Sequence, residues 1–183
     1  MGNWKLNQVA RLVRKGGVIA YPTEAVYGIG CRPWDFLAVN RILEMKRRPV
    51  DKGLIIIAAT PDQLSDFIQF QDAAMEKRVL ATWPGPVTWL VPARKEVPRW
   101  IRGSHPSVAV RVSAHPLVQE LCTRAGPLIS TSANPGSYPP ARTARKVFYY
   151  FGSAVDRVLY GPLGTSARPT EIRDASTGEL VRR

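Results

Sequence analysis

From Leu54 to Ala59 the chain reads Leu54-Ile55-Ile56-Ile57-Ala58-Ala59, an apolar run with no polar alternation. Such a run, rich in β-branched residues, predicts a central strand buried on both faces. That strand needs helices above and below it, and the sequence supplies them. Residues 6–15 put Leu6, Val9, Ala10 and Val13 on one face, with Arg11, Arg14 and Lys15 outside it, and Gly16-Gly17 closes the helix. Asp35 is placed to cap a second helix that carries Leu37, Val39, Ile42 and Leu43 towards Lys46. Thr60-Pro61 predicts a helix to about Ile68 and Asp72 another to about Thr82. His115-Pro116 opens one to about Ala125, and Thr143 one to Phe151.

Short strands are expected at 18–21, 87–91, 108–112, from 128, and at 155–160, with a closing hairpin of 170–174 and 179–182 around Thr177-Gly178. Stretches 22–30, 94–107 and 161–169 read as loops. Helices and strands alternate, then the end turns β-rich. This order predicts one α/β domain over 1–183, with a twisted sheet mixing parallel and antiparallel strands. The length suffices for one substantial core.

Hydrophobic residues make up 45% and charged residues 22%, which excludes a disordered chain. No apolar run approaches the ~20 residues of a membrane span. No secretory leader is apparent, so a cytoplasmic protein without a membrane partner is expected. Cys31 and Cys122 read as reduced and buried. His105 and His115 each precede a proline, and no zinc-ligand spacing exists, so no protein metal site is expected.

The formal net charge is +12. Residues 1–60 hold ten cations against four acids, residues 61–120 seven against six, and residues 121–183 nine against four. If the two basic ends meet, they form a basic concave cleft suited to nucleotide phosphates or to RNA.

Several stretches are candidates to line it. Lys46-Arg47-Arg48-Pro49-Val50-Asp51-Lys52 falls at a helix-to-strand junction, where Pro49 should end the helix. It is either a solvated helix end or an anion site. The loop Pro22 to Gly30 offers a hydroxyl, a carboxylate and a phenol beside two glycines. Residues 94–107 interleave cations and aromatics, as an RNA-contacting or lid loop does, unless Trp100 is simply tucked into the core. Arg111 sits within an apolar strand and needs a structural partner or a ligand. Ser130-Thr131-Ser132-Ala133-Asn134 ends a strand with hydroxyls and an amide, a ligand grip or a self-capping turn. No nucleophile elbow surrounds these serines, which argues against a hydrolase triad.

Four stretches in sequence order carry a resemblance: Pro22-Thr23-Glu24-Ala25-Val26-Tyr27-Gly28, Lys46-Arg47-Arg48-Pro49, Trp83-Pro84-Gly85-Pro86-Val87-Thr88 and Ser130-Thr131-Ser132-Ala133-Asn134. Together they resemble the YrdC-like family of threonylcarbamoyl-AMP synthases, and the closing Glu171-Ile172-Arg173-Asp174 with Thr177-Gly178-Glu179-Leu180 is similar to its short bacterial form. The resemblance implies a twisted α/β sheet with a positive concave face. It also implies condensation of L-threonine, bicarbonate or CO2 and ATP to L-threonylcarbamoyl-AMP and pyrophosphate. Other proteins would then transfer the threonylcarbamoyl group to adenosine 37 of tRNAs reading codons that begin with A.

By the same resemblance, Lys46 and Arg48 are the catalytic, phosphate-binding pair. Lys52, Ser132, Asn134 and Arg182 complete the ATP site. Thr23, Arg111, Thr131 and Thr170 hold threonine, with Ser113 a further contact. Mg2+ would arrive with ATP. One departure stands out: Asn134-Pro135-Gly136-Ser137 replaces the family's usual Ser-Gly two residues after the Asn. Two other readings remain, a double-stranded RNA or tRNA binding module without catalysis, and a carbamoyl-transfer domain like those of hydrogenase maturation.

Overall fold

The computed structural model describes residues 3–165 and 170–182, so residues 166–169 of the expected 161–169 loop lie outside the described residues. The helices are α1 (Asn3–Arg14), α2 (Phe36–Lys46), α3 (Ala73–Leu80), α4 (Arg99–Arg102), α5 (Pro116–Ala125) and α6 (Ala144–Phe151). The strands are β1 (Ile19–Pro22), β2 (Tyr27–Gly30), β3 (Ile55–Ala58), β4 (Val87–Pro92), β5 (Ser107–Val112), β6 (Leu128–Ser132), β7 (Arg157–Val158), β8 (Glu171–Asp174) and β9 (Leu180–Arg182). They form one mixed sheet in the order β7-β1-β2-β6-β3-β5-β4-β8-β9. β3 is central, parallel to β5 and antiparallel to β6.

Side chains alternate between the faces of a strand, so the register sorts the sheet into two surfaces. On one, Ile56 stands opposite Ile129 and Val110, and Trp89 opposite Val110. This surface is fully covered, with Val39 and Ile42 of α2, Val79 of α3 and Val147 of α6 in the same apolar cluster. On the other, Ile57 and Leu128 pack with Leu6, Val9 and Val13 of α1 and Val118, Leu121 and Cys122 of α5. These two helices cover only part of that face. Two residues along each strand, Ser130, Ile55, Ala109 and Leu90 stand in a row that lines an open cleft. The expected two-sided burial of β3 therefore holds at Ile56, Ile57 and Ala58, while Ile55 is half-buried.

Several local expectations differ, and the 94–107 stretch read as a loop holds the short helix α4 and the first residue of β5. Residues 22–30 are not all loop: Tyr27–Gly30 pairs antiparallel with β1 as a hairpin. Gly30 is needed for close packing, because a Cβ there would lie 2.2 Å from the Ile129 carbonyl oxygen. Thr60-Pro61 starts only a 3-10 turn, Pro61–Leu64, and Thr60 makes no capping bond. Gln63 instead accepts from the Ala59 N–H at 2.9 Å, and Ile68 leaves to bridge Ala93, so a helix to Ile68 cannot form. The strand expected at 155–160 is reduced to Arg157–Val158.

Candidate active site

The uncovered part of the sheet is the floor of a cleft of about 560 Å3. Its floor is concave because small residues occupy the strand centres: Gly28 on β2, Ser130 on β6 and Ala109 on β5. Arg48, Lys52, Arg102, Arg111 and Arg182 line the wall with His105, and no carboxylate among the described residues lines it. The expected meeting of the two basic ends occurs here, as Arg48 and Arg182 share one cleft. An acid-free wall of this kind favours a bound polyanion electrostatically.

The junction after α2 decides which cations face the cleft. Asp35 caps α2 as expected, accepting from the Ala38 N–H at 3.0 Å. The helix ends at Lys46, because Arg47 turns left-handed (φ 50°, ψ 44°) and the Arg48 N–H returns to the Leu43 carbonyl. Thus Arg47, and not Pro49, ends the helix. The reversal sends two neighbouring cations to different places. Arg48 enters the cleft, clamped by bonds from Nε and Nη2 to the Gly53 carbonyl at 3.1 and 2.8 Å. Burial first, and Arg182 second, lowers its pKa below the usual guanidinium value.

Lys46 turns the other way and is buried. Its ammonium donates to the carbonyls of Ser132 and Asn134, the latter at 2.7 Å, and to Asn134 Oδ1 at 3.4 Å. All three donors of the ammonium thereby reach one loop. Burial, with Arg48 as a lesser cause, lowers its pKa to about 8. Asn134 Oδ1 also accepts from Ser132 Oγ at 2.6 Å, and Nδ2 donates to the Gly136 and Tyr138 carbonyls. Lys46 and Asn134 therefore lie one layer behind the cleft wall and set the loop that presents Ser132, which does line it. The Pro135-Gly136 turn is held by the same knot, with the Gly136 N–H donating to the Lys46 carbonyl at 2.8 Å.

At the other end of the cleft, Arg111 Nη2 pairs with Glu24 Oε2 at 3.2 Å, both side chains being under 10% exposed. Ser113 donates to the second Glu24 oxygen at 2.6 Å. The cation within an apolar strand thus has a structural partner, yet Arg111 still lines the cleft and its Nε has no hydrogen-bond partner among the described residues. That Nε is itself buried, so a carboxylate ligand would meet the part of the guanidinium that lines the cleft. Thr23, Thr131 and Thr170 line the cleft too. The Thr23 hydroxyl donates to the Val26 carbonyl at 2.7 Å, and Thr170 Oγ1 lies 3.4 Å from Thr88 Oγ1.

Of the residues expected from the sequence, Arg48, Lys52, Ser132, Arg182, Thr23, Arg111, Thr131 and Thr170 meet in one cleft. Ser113 does not reach it and serves Glu24 instead. The Trp83 to Thr88 stretch is also structural: Trp83 Nε1 donates to the Val87 carbonyl, and the Gly85 N–H to that of Val112. Trp100 packs edge-on to Phe36 with its Nε1 on the Pro33 carbonyl, while Arg102 of the same segment reaches the cleft. Arg102, His105 and Ala109 join them in the cleft, with Gly28 and Ser130 from the candidate stretches forming its floor. The cation-rich 94–107 stretch was the signal for the first two.

Fold and site define an α/β protein with a basic cleft sized for small molecules. A family model described as "Telomere recombination", that of Sua5, YciO and YrdC, matches residues 11–183. The chain belongs to this family. It is 53% identical over 182 residues to a threonylcarbamoyl-AMP synthase of Stutzerimonas stutzeri, covering all of this chain and 98% of that one. Among solved structures it resembles P. abyssi Sua5 complexed with L-threonine (TM-score 0.90, 32% identity), covering 98% of this chain and 53%, about half, of that one. It also resembles E. coli YciO (TM-score 0.87, 28% identity), over 100% and 90% of the two chains.

Proposed function

We propose that this protein condenses L-threonine, bicarbonate and ATP into L-threonylcarbamoyl-AMP and pyrophosphate, for use by a separate transferase acting on tRNA. The carrying observation is the cleft itself: a cationic wall with no carboxylate among its described residues, and a buried arginine, Arg111, that also lines it. The identity to named synthases, and the threonine bound by the Sua5 relative, support the same reading.

In this reading Arg48, Lys52 and Arg182 hold the triphosphate, and Ser132 completes the nucleotide site. Arg111 takes the threonine carboxylate, with Thr23, Thr131 and Thr170 around the rest of the amino acid. Bicarbonate takes up a proton and loses water to give CO2, and the threonine amine attacks this CO2 and loses a proton to give a carbamate. A carbamate oxygen then attacks the α-phosphorus, and the bond to the β-phosphate oxygen breaks to release pyrophosphate. No protein nucleophile is needed. The cleft contributes by bringing two anions together and neutralising their repulsion. Lys46 and Asn134 act through the loop that carries Ser132.

Mg2+ would travel on the triphosphate. Among the described residues no carboxylate lines the cleft, and no group of three or more His, Cys, Asp or Glu is placed to bind a metal. The residues do not form a cage, and no step here runs through a protein-held ion. A cavity of about 560 Å3 suits such substrates better than a duplex.

The test is product identification with labelled bicarbonate. Purified protein given ATP, threonine and 13C-bicarbonate should yield a threonylcarbamoyl adenylate carrying the label by mass spectrometry. Absence of a labelled adenylate would contradict the assignment.

A further inference from the structure

Two segments far apart in sequence build the cationic wall together. Helix α4 packs on the 3-10 turn Val50–Lys52, and the two backbones meet closely at Gly53 and Gly103. The Leu54 N–H donates to the Ile101 carbonyl at 2.8 Å, and the Ser104 N–H to that of Asp51 at 3.1 Å. A Cβ on Gly103 would lie 2.3 Å from the Asp51 carbonyl oxygen, and one on Gly53 would lie 2.8 Å from that of Arg102. The Asp51 carboxylate closes the joint: its Oδ1 accepts from Arg99 at 2.7 Å and from the Ser104 hydroxyl at 3.0 Å.

This joint presents Arg102 to the cleft. Its Nε donates to the Val97 carbonyl at 3.1 Å and its Nη1 to that of His105 at 2.7 Å. Those bonds fix the guanidinium plane and leave Nη2 without a hydrogen-bond partner among the described residues. Arg102 is half-buried, has no carboxylate partner among them, and shares the wall with Arg48, Lys52 and Arg182. A guanidinium pre-set in this way is suited to phosphate oxygens.

We propose that Arg102 binds the nucleotide's polyphosphate directly, as a second arm beside Arg48, and that Asp51 is a positioning residue that holds this arm through Arg99 and Ser104. The proposal rests on the nucleotide reading above.

Inorganic pyrophosphate is the probe, titrated calorimetrically into the purified protein, with AMP as comparator. Arg102→Gln should weaken pyrophosphate binding about ten- to a hundredfold, leave AMP within about twofold, and be partly rescued in Arg102→Lys. Asp51→Asn gives a sharper test, since it leaves every cleft cation in place. Removing a negative charge near the cleft should tighten anion binding if Asp51 acts only through its field. Positioning predicts the opposite sign, a loss of about three- to tenfold. Pyrophosphate binding unchanged in Arg102→Gln but lost in Arg48→Gln would reduce Arg102 to a loop tether and leave the nucleotide reading standing. Unchanged or tighter binding in Asp51→Asn would overturn the positioning role. Wild-type protein that binds no pyrophosphate would overturn the nucleotide reading and this inference with it.

Discussion

Glu24→Gln isolates the buried Arg111–Glu24 ion pair beside the cleft. Gln is nearly the size of Glu, and its amide oxygen can still accept from Ser113, now at 2.6 Å from Glu24 Oε1. What disappears is the negative charge 3.2 Å from Arg111, where both side chains are under 10% exposed. Removing one partner of such a pair strands the other charge in a low dielectric, at about 3–5 kcal/mol. The retained Ser113 bond points to the lower part of that range. At roughly 2–4 °C per kcal/mol for a chain of this size, the melting temperature should fall by about 6–12 °C. Thermal denaturation by circular dichroism reads this directly. Arg111→Met in the same background should recover part of the loss, because the stranded charge goes too. L-threonine should then stabilise Glu24→Gln more than wild type, since its carboxylate supplies the missing anion. A melting temperature within about 1 °C of wild type would refute the claim that the pair is desolvated.

Other substitutions probe other parts. Arg48→Ala should raise the KM for ATP on the order of ten- to a hundredfold with the melting temperature little changed, since a charge-assisted contact is worth about 1.5–3 kcal/mol; steady-state kinetics at varied ATP checks it. Lys46 has a folded pKa of about 8 against an ordinary 10.5, set by burial first and by Arg48 second. Between those values the unfolded chain holds more protons, so this residue makes stability rise with pH there. Loss of its proton also removes one donor from the Ser132–Asn134 loop. A pH–rate profile should therefore fall through about pH 8, and Lys46→Arg should flatten that limb. Gly30→Ala should destabilise by about 1–3 kcal/mol or more, because its Cβ would meet the Ile129 carbonyl oxygen at 2.2 Å; urea unfolding measures it. Arg47→Gly should stabilise by up to about 1 kcal/mol at unchanged turnover, since Arg47 is exposed and holds a left-handed conformation that glycine adopts freely.

Elements with strong local signals were legible in the chain. The face of α1, the Asp35 cap and the central position of β3 follow from spacing and capping chemistry alone, and the face of α2 does at Val39, Ile42 and Leu43 but not at Leu37, which points to solvent. The short β2 was not, because its glycines look like a turn and earn their place only against Ile129 and Tyr21 across the sheet. The helix expected after Thr60-Pro61 gave way to long-range pairing of Ile68 with Ala93, which no local window contains. The site divides in the same way. Arg48 and Ser132 stand out as residue types in charged or hydroxyl-rich stretches. That Lys46 faces away from Arg48 depends on one left-handed residue between them. That Arg102 joins them depends on contact between the 50–53 and 99–104 segments. The floor is set by register, which places Gly28, Ser130 and Ala109 beside one cleft although nothing links them in sequence.

Pyrophosphate release from ATP by the purified protein, measured with threonine and bicarbonate supplied together, singly and not at all, is the most direct test of the proposed synthase activity. Release that requires both, and that falls sharply in Arg48→Ala, is the predicted result. Release independent of threonine, or none with both present, would contradict it.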